Sequence, residues 1–168
     1  GIELERGYLS PWFINNHDKL TAEYDDPLIL LTTHKINSLR QLVPLLKAVV
    51  EISAPLLIIG KEIEGEALNT LVANKTEKGL KVAAILSPEF GDRKKQILED
   101  LAVITGGRVI SEEGGTNLEN VQLEDLGSCR KLIVGAQKTS IIEGFGAIDA
   151  VKKRVEDVRT LIANTENT

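Results

Sequence analysis

The sequence predicts an α+β domain of the α/β-related kind, on three observations. Short apolar runs rich in Leu, Ile and Val recur along the chain, and segments with helical apolar spacing lie between them. No Pro/Gly/Ser-rich linker divides the 168 residues, about one domain's length of chain. In order, Leu28–Leu31 reads as a buried strand, Asn37–Val50 as a helix and Leu56–Ile59, after Pro55, as a second strand. Gly65–Lys78 follows as a helix, Val82–Leu86 as a strand and Asp92–Thr105 as a helix. Arg108–Ile110 and Lys131–Val134 complete the strands, and Ala147–Ala163 is the fourth helix. Asn37 and Asp92 are helix N-cap types, and Gly79 and Gly106 stand where helices stop. The polar tail from Asn164 to Thr168 reads as a frayed end.

Composition narrows the function classes. A hydrophobic fraction of 42% with 27% charged residues is that of a globular protein and excludes disorder and fibrous repeats. Apolar runs such as Pro55–Ile59 fall far short of the ~20 residues a membrane helix needs. One cysteine, Cys129, closes no disulfide within the chain, and His17 and His34 leave little for a His-based metal or catalytic site. A net charge of -5 argues against nucleic acid as the main partner. The segment opens with no basic, apolar leader, so no secretion signal is expected in it.

Motifs for chemistry are mostly missing. There is no phosphate loop of the Gly-x-x-x-x-Gly-Lys type. Gly144-Phe145-Gly146 starts a dinucleotide fingerprint, but Asp149 holds the third glycine's place and the preceding segment is a poor strand. The carboxylate groups Glu62/Glu64/Glu66, Glu112/Glu113 and Glu124/Asp125 carry no sign of the split pKa values an acid/base pair needs. The first group suits a solvated helix start, and Gly114-Gly115 after Glu112-Glu113 a bend with solvated charges. Ser10 and Ser111 lack a nucleophile elbow. Cys129 is either a thiol activated by Arg130 and Lys131 or a small buried filler, and a lone cysteine at a strand start favours the filler. No catalytic residue and no metal site is assigned.

The informative feature is excess apolar surface on two helices. With Leu39 at zero and about 100° per residue, Val43, Leu46 and Val50 fall within about 40° of it. Leu42, Leu45 and Val49 fill a second sector, from about 240° to 300°. On the next helix Leu68 and Val72 form one sector, and Ile63, Ala67 and Leu71 another. One sector per helix serves the sheet. Two antiparallel neighbours with spare sectors would form an apolar groove, a surface that binds protein or peptide. The alternative buries both sectors, one on the sheet and one on other helices. Three of the chain's six aromatics, Tyr8, Trp12 and Phe13, crowd around Pro11, which reads as a deliberate surface or a corner plug.

The run Arg6-Gly7-Tyr8-Leu9-Ser10-Pro11-Trp12-Phe13-Ile14-Asn15 resembles the opening of the apical domain in group I chaperonins, the GroEL family. Pro55-Leu56-Leu57-Ile58-Ile59 and Ile63-Glu64-Gly65-Glu66-Ala67-Leu68-Asn69-Thr70-Leu71-Val72 continue the resemblance. So do Phe90-Gly91-Asp92-Arg93-Lys94-Lys95, Leu101-Ala102-Val103-Ile104-Thr105-Gly106-Gly107 and Leu123-Glu124-Asp125-Leu126-Gly127, nearly end to end. Departures include Ser87-Pro88-Glu89-Phe90-Gly91 for the family's Ala-Pro-Gly-Phe-Gly. Glu77-Lys78-Gly79 stands for its Arg-Gly, which alters the charge at the groove's edge.

The resemblance implies a single apical, substrate-binding domain over residues 1–168, with a β-sandwich-like core flanked by helices. It implies capture of non-native polypeptides, and of a GroES-type cochaperonin loop, in an apolar groove between two helices. Carried over by position, the contact residues are Tyr8, Trp12 and Phe13, then Val43 and Leu46, then Leu68, Val72 and Ala73. Ser10 and Asn15 offer polar groups to pin an extended peptide. ATP and Mg belong to an equatorial domain that this chain lacks, so the fragment is expected to carry no cofactor and no enzyme activity. The parent is expected to be an ATP-hydrolysing ring of subunits in the bacterial cytoplasm or an organellar matrix or stroma. The isolated domain is expected to be monomeric, binding neither nucleic acid nor membrane. Two rivals are an interaction module with one specific partner and a small hydrolase or transferase built on the acidic clusters. The second would need a raised carboxylate pKa or a buried polar pocket.

Overall fold

The apolar runs of Leu28–Leu31, Leu56–Ile59 and Val82–Leu86 become the middle of a sheet because each is followed by a helix that returns the chain to the same end. A computed structural model describes residues 1–88 and 92–145. Its first half contains β1 (Ile2–Leu4), β2 (Ala22–Asp25), β3 (Leu28–Ile36), α1 (Val43–Glu51), β4 (Leu56–Ile63) and α2 (Gly65–Lys78). Then come β5 (Val82–Leu86), α3 (Asp92–Thr105), β6 (Val109–Ile110), β7 (Gly127–Val134) and β8 (Thr139–Gly144). Among the described residues the result is a mixed α+β fold: three α-helices and one eight-stranded sheet, ordered β1-β8-β7-β3-β4-β5, with β2 on β7 and β6 on β3. The helix expected at Ala147–Ala163 lies outside the described residues, as do Glu89, Phe90 and Gly91.

β3, β4 and β5 pair in parallel, with Leu28 opposite Leu56 and Leu56 opposite Val82. Their runs Ile29–Leu31, Leu56–Ile59 and Val82–Ile85 are buried, as expected of strands covered on both faces. Thr32, fully buried in β3, donates to the Ile110 carbonyl (2.9 Å) and accepts from the His34 N–H (3.0 Å), so no polar atom is stranded there. Parallel strands force both crossovers back against the strand direction. α1 and α2 therefore run in the same sense as each other, not as the antiparallel neighbours supposed for the groove. The return from β5 to β6 reverses course across the sheet, which for a right-handed connection places α3 on the other face.

β7 joins two pairing schemes. Gly127 and Ser128 continue the sheet beyond β3, while Lys131–Val134 pairs with β2 on one side and β8 on the other. Three strands were not expected: β1, β2 and β8. β1 and β2 are three and four residues long, too short to show a period. The sequence Thr139–Gly144 reads as a poor strand, yet β8 alternates buried and partly exposed positions over Thr139–Ile142 and pairs with both β1 and β7.

The helix expected over Asn37–Val50 is split. Pro44 cannot donate the N–H that a continuous α-helix needs, so Leu39–Leu42 closes as a 3-10 turn and α1 starts at Val43 with Pro44 in its first turn. The cap is Ser38 and not Asn37. Its hydroxyl accepts from the Arg40 N–H (3.2 Å), and Gln41 reaches back to accept from the Ser38 N–H (3.1 Å). Gly79 and Gly106 close α2 and α3 with φ values of 70° and 78°, as their type predicts.

Candidate functional site

α1 shows which apolar sector is spare. Leu42, Leu45 and Val49 are at most 1% exposed, whereas Val43 is 36% and Val50 57% exposed. Leu46, which the wheel places beyond Val50 on the side of the core sector, is buried. On α2 the core positions are Ala67 and Leu71, and Leu68, Val72 and Ala73 are half-buried. Ile63 is no part of this helix; it ends β4.

Between α1 and the C-terminal end of α2 lies an open depression of about 690 Å³. Leu39, Val43, Leu46 and Val50 form its apolar wall, and Leu80 lies at the opposite side with Asn74, Lys78 and Gly79. Leu80 is there because Gly79 ends α2 in the left-handed conformation and turns the chain back, with the Leu80 N–H reaching the Asn74 carbonyl (3.3 Å). A second, more polar depression of about 540 Å³ adjoins it across Ser53, Gly79, Leu80 and Lys81.

No protein-family model matches the chain. The surface is therefore read from its own residues.

Of the expected contact residues, the depression brings together Val43 and Leu46. Leu68, Val72 and Ala73 do not line it, and neither do Tyr8, Trp12 and Phe13. Leu68 and Val72 instead pack partly onto the core. Tyr8 is half-buried: its N–H donates to the Gly135 carbonyl (3.0 Å) and its hydroxyl to the Leu20 carbonyl (3.2 Å). Trp12 is 66% exposed, and Phe13 is wholly buried. Phe13 is thus a core plug and offers no contact surface. The 3-10 turn Pro11–Phe13 packs against α2 and β5, with Leu9 N–H donating to the Ala84 carbonyl (3.0 Å).

Two polar groups expected to pin a peptide are used internally. Ser10 caps the turn by accepting from the Trp12 N–H (3.2 Å). Asn15 clasps the Glu23 backbone, donating to its carbonyl (2.9 Å) and accepting from its N–H (2.8 Å). Apolar residues that line the depression outside the expected contact set are Leu39, Val50 and Leu80. The first two already lay in the spare sector, and a leucine just past a helix-stopping glycine was the signal for the third.

The acidic groups divide by role. Glu62 and Glu64 face Lys35 at 3.8 and 3.0 Å, and Glu113 receives a hydrogen bond from Lys95 at 2.7 Å. The Lys95 bond is the main cause holding the Glu113 carboxyl below its ordinary value. Glu23 is held low chiefly by the Thr21 hydroxyl (2.6 Å), against a smaller opposing effect of burial. At Asp125 partial burial is the largest single influence and works against ionisation. Hydrogen bonds from Arg108 (2.7 Å) and the Gln122 N–H (2.9 Å) outweigh it, so this carboxyl too is held low. A general acid needs the opposite shift.

Cys129 is buried in β7, and burial pushes its thiol up to about 11. The filler reading stands and the activated thiol does not. Gly144 does not cradle a phosphate: an added Cβ would run into the Ile104 carbonyl at the end of α3, so the glycine is there for close helix–strand packing. No helix among the described residues is long and apolar enough to cross a membrane.

Proposed function

We propose that this chain is the polypeptide-capturing apical domain of a group I chaperonin, acting by reversible burial of apolar side chains from non-native proteins and from a GroES-type cochaperonin loop. The reading is carried by the exposed Val43 and Val50 on the apolar wall of the α1–α2 depression. The long motif resemblance supports it, as does the placing of both helices as crossovers of the parallel strands β3, β4 and β5. Full burial of one aliphatic or aromatic side chain contributes ~1.5–3 kcal/mol, so a few contacts suffice for micromolar capture after ordering costs. Aliphatic walls read area and not a hydrogen-bond pattern, which suits many partners. The fragment does this without ATP. Nucleotide and Mg act on the parent ring through its equatorial domain. The ring resides in the bacterial cytoplasm or an organellar matrix or stroma.

Calorimetric titration with an amphipathic apolar peptide tests the reading. The native domain is expected to bind saturably, and Val43→Glu to abolish the heat while leaving the circular dichroism spectrum unchanged. Saturable binding that survives both Val43→Glu and Val50→Glu would remove the depression as the site. Trp12 emission, followed in parallel, reports whether the peptide reaches the N-terminal turn: a blue shift places it there, and no shift confines it to the depression.

A further inference from the structure

We infer that the α1–α2 depression selects apolar segments flanked by carboxylates; this rests on the polypeptide-binding reading above and names its substrate class. The chain as a whole is acidic, with a net charge of -5, yet the rim of this depression is not. Lys47 on α1, Lys78 at the end of α2 and Lys81 just beyond it line the depression, against the single acid Glu51. All three lysines are exposed, and among the described residues none of them has a carboxylate within ion-pair distance. The acids of the adjoining depression do not cancel this charge. Glu23 is taken up by Thr21 (2.6 Å) and Asn16 (2.9 Å), and both Glu23 and Asp25 face Lys131 at 3.9 and 3.8 Å.

The rim therefore combines an apolar wall with uncompensated positive charge, a pattern that complements an apolar segment bearing Asp or Glu and repels one bearing Lys or Arg. Lys78 belongs to the Glu77-Lys78-Gly79 sequence that stands in place of Arg-Gly. The fold directs this lysine toward the depression, and Glu77 is not among its lining residues. Charge at such an exposed rim is screened by salt, so the preference is an ionic-strength-dependent one laid over salt-insensitive apolar binding.

The test uses two peptides with one common leucine-rich core, one flanked by glutamates and the other by lysines, titrated calorimetrically into the native domain and into Lys78→Glu/Lys81→Glu. At low ionic strength the glutamate-flanked peptide is expected to bind about fivefold to tenfold tighter, a ratio falling toward one in 0.5 M salt. The double variant, whose exposed positions leave the fold intact by circular dichroism, is expected to erase or reverse that ratio. Equal affinity of both peptides for the native domain at low salt would overturn the charge preference and leave the apolar site standing. Absence of binding by either peptide would overturn both. A preference that persists unchanged in the double variant would place the selecting charge elsewhere and also defeat the inference.

Discussion

Single residues here are decided by what surrounds their polar atoms. Cys129 lies beside Arg130 and Lys131 in sequence, but Arg130 points to the opposite face of the strand and pairs with Glu143 (3.2 Å), while Lys131 reaches toward Glu23 and Asp25 (3.9 and 3.8 Å). Its thiol meets the interior and donates to the Lys131 carbonyl (3.3 Å). Desolvation is the largest influence, and it raises the pKa from 9.0 to about 11. The neutral thiol's contribution to stability is therefore fully present below the unfolded value of 9.0 and declines as pH rises from there towards 11. Cys129 is expected to resist a thiol-specific reagent at pH 8 in the native domain and to react within seconds in denaturant. Rapid native-state labelling would show that β7 opens readily.

At the scale of an element, the end of α1 holds an unusual residue. Ser53 adopts φ 55°, the Ser53 N–H donates to the Val50 carbonyl (3.0 Å) and the Ala54 N–H to the Val49 carbonyl (2.9 Å). These are the paired bonds of a Schellman ending, which favours glycine because a Cβ is crowded there. α2 meets the same demand with Gly79. Ser53→Gly is expected to stabilise the domain by about 0.5–1 kcal/mol, the relief of the left-handed strain less the added freedom of the unfolded chain. Urea unfolding should show a higher midpoint at an unchanged slope. A lower midpoint would mean the serine side chain contributes more than its backbone costs.

The whole molecule depends on how closely α3 and the core sectors of α1 and α2 approach the sheet. A Cβ on Gly127, at the start of β7, would collide with the Thr105 side chain at the end of α3, and Thr105 is itself buried with its hydroxyl donating to the Leu101 carbonyl (2.7 Å). Gly127→Ala is expected to cost about 1–3 kcal/mol by overpacking. Thr105→Ala in that background should recover part of the loss, since the two changes share one contact. Purely additive denaturation midpoints would contradict this packing. Leu45→Glu and Leu71→Glu place a carboxylate at core positions 1% and 2% exposed. Circular dichroism should show both variants unfolded, in contrast to Val43→Glu, because an unpaired buried charge costs several kcal/mol.

Periodicity and stop signals were enough to place α2, α3 and β5, because their apolar spacing and flanking Gly79 and Gly106 are local properties that need no partner. The spare apolar sector of α1 was legible for the same reason: Val43 and Val50 share an angle whatever they face. β1, β2 and β8 were not legible, since strands this short, or with so few alternating apolar residues in sequence, owe their existence to the neighbours they pair with. The same limit applied to the contact set. Sequence position put Phe13 beside Trp12, and only the packing of the turn on α2 and β5 sends one ring to the core and leaves the other in solvent. Local chemistry thus determined which helices are apolar on two sides. Tertiary structure alone decided that Val43, Val50 and Leu80 face one depression and that three lysines gather at its rim, because those residues lie far apart in sequence and meet only through the parallel crossovers between β3, β4 and β5.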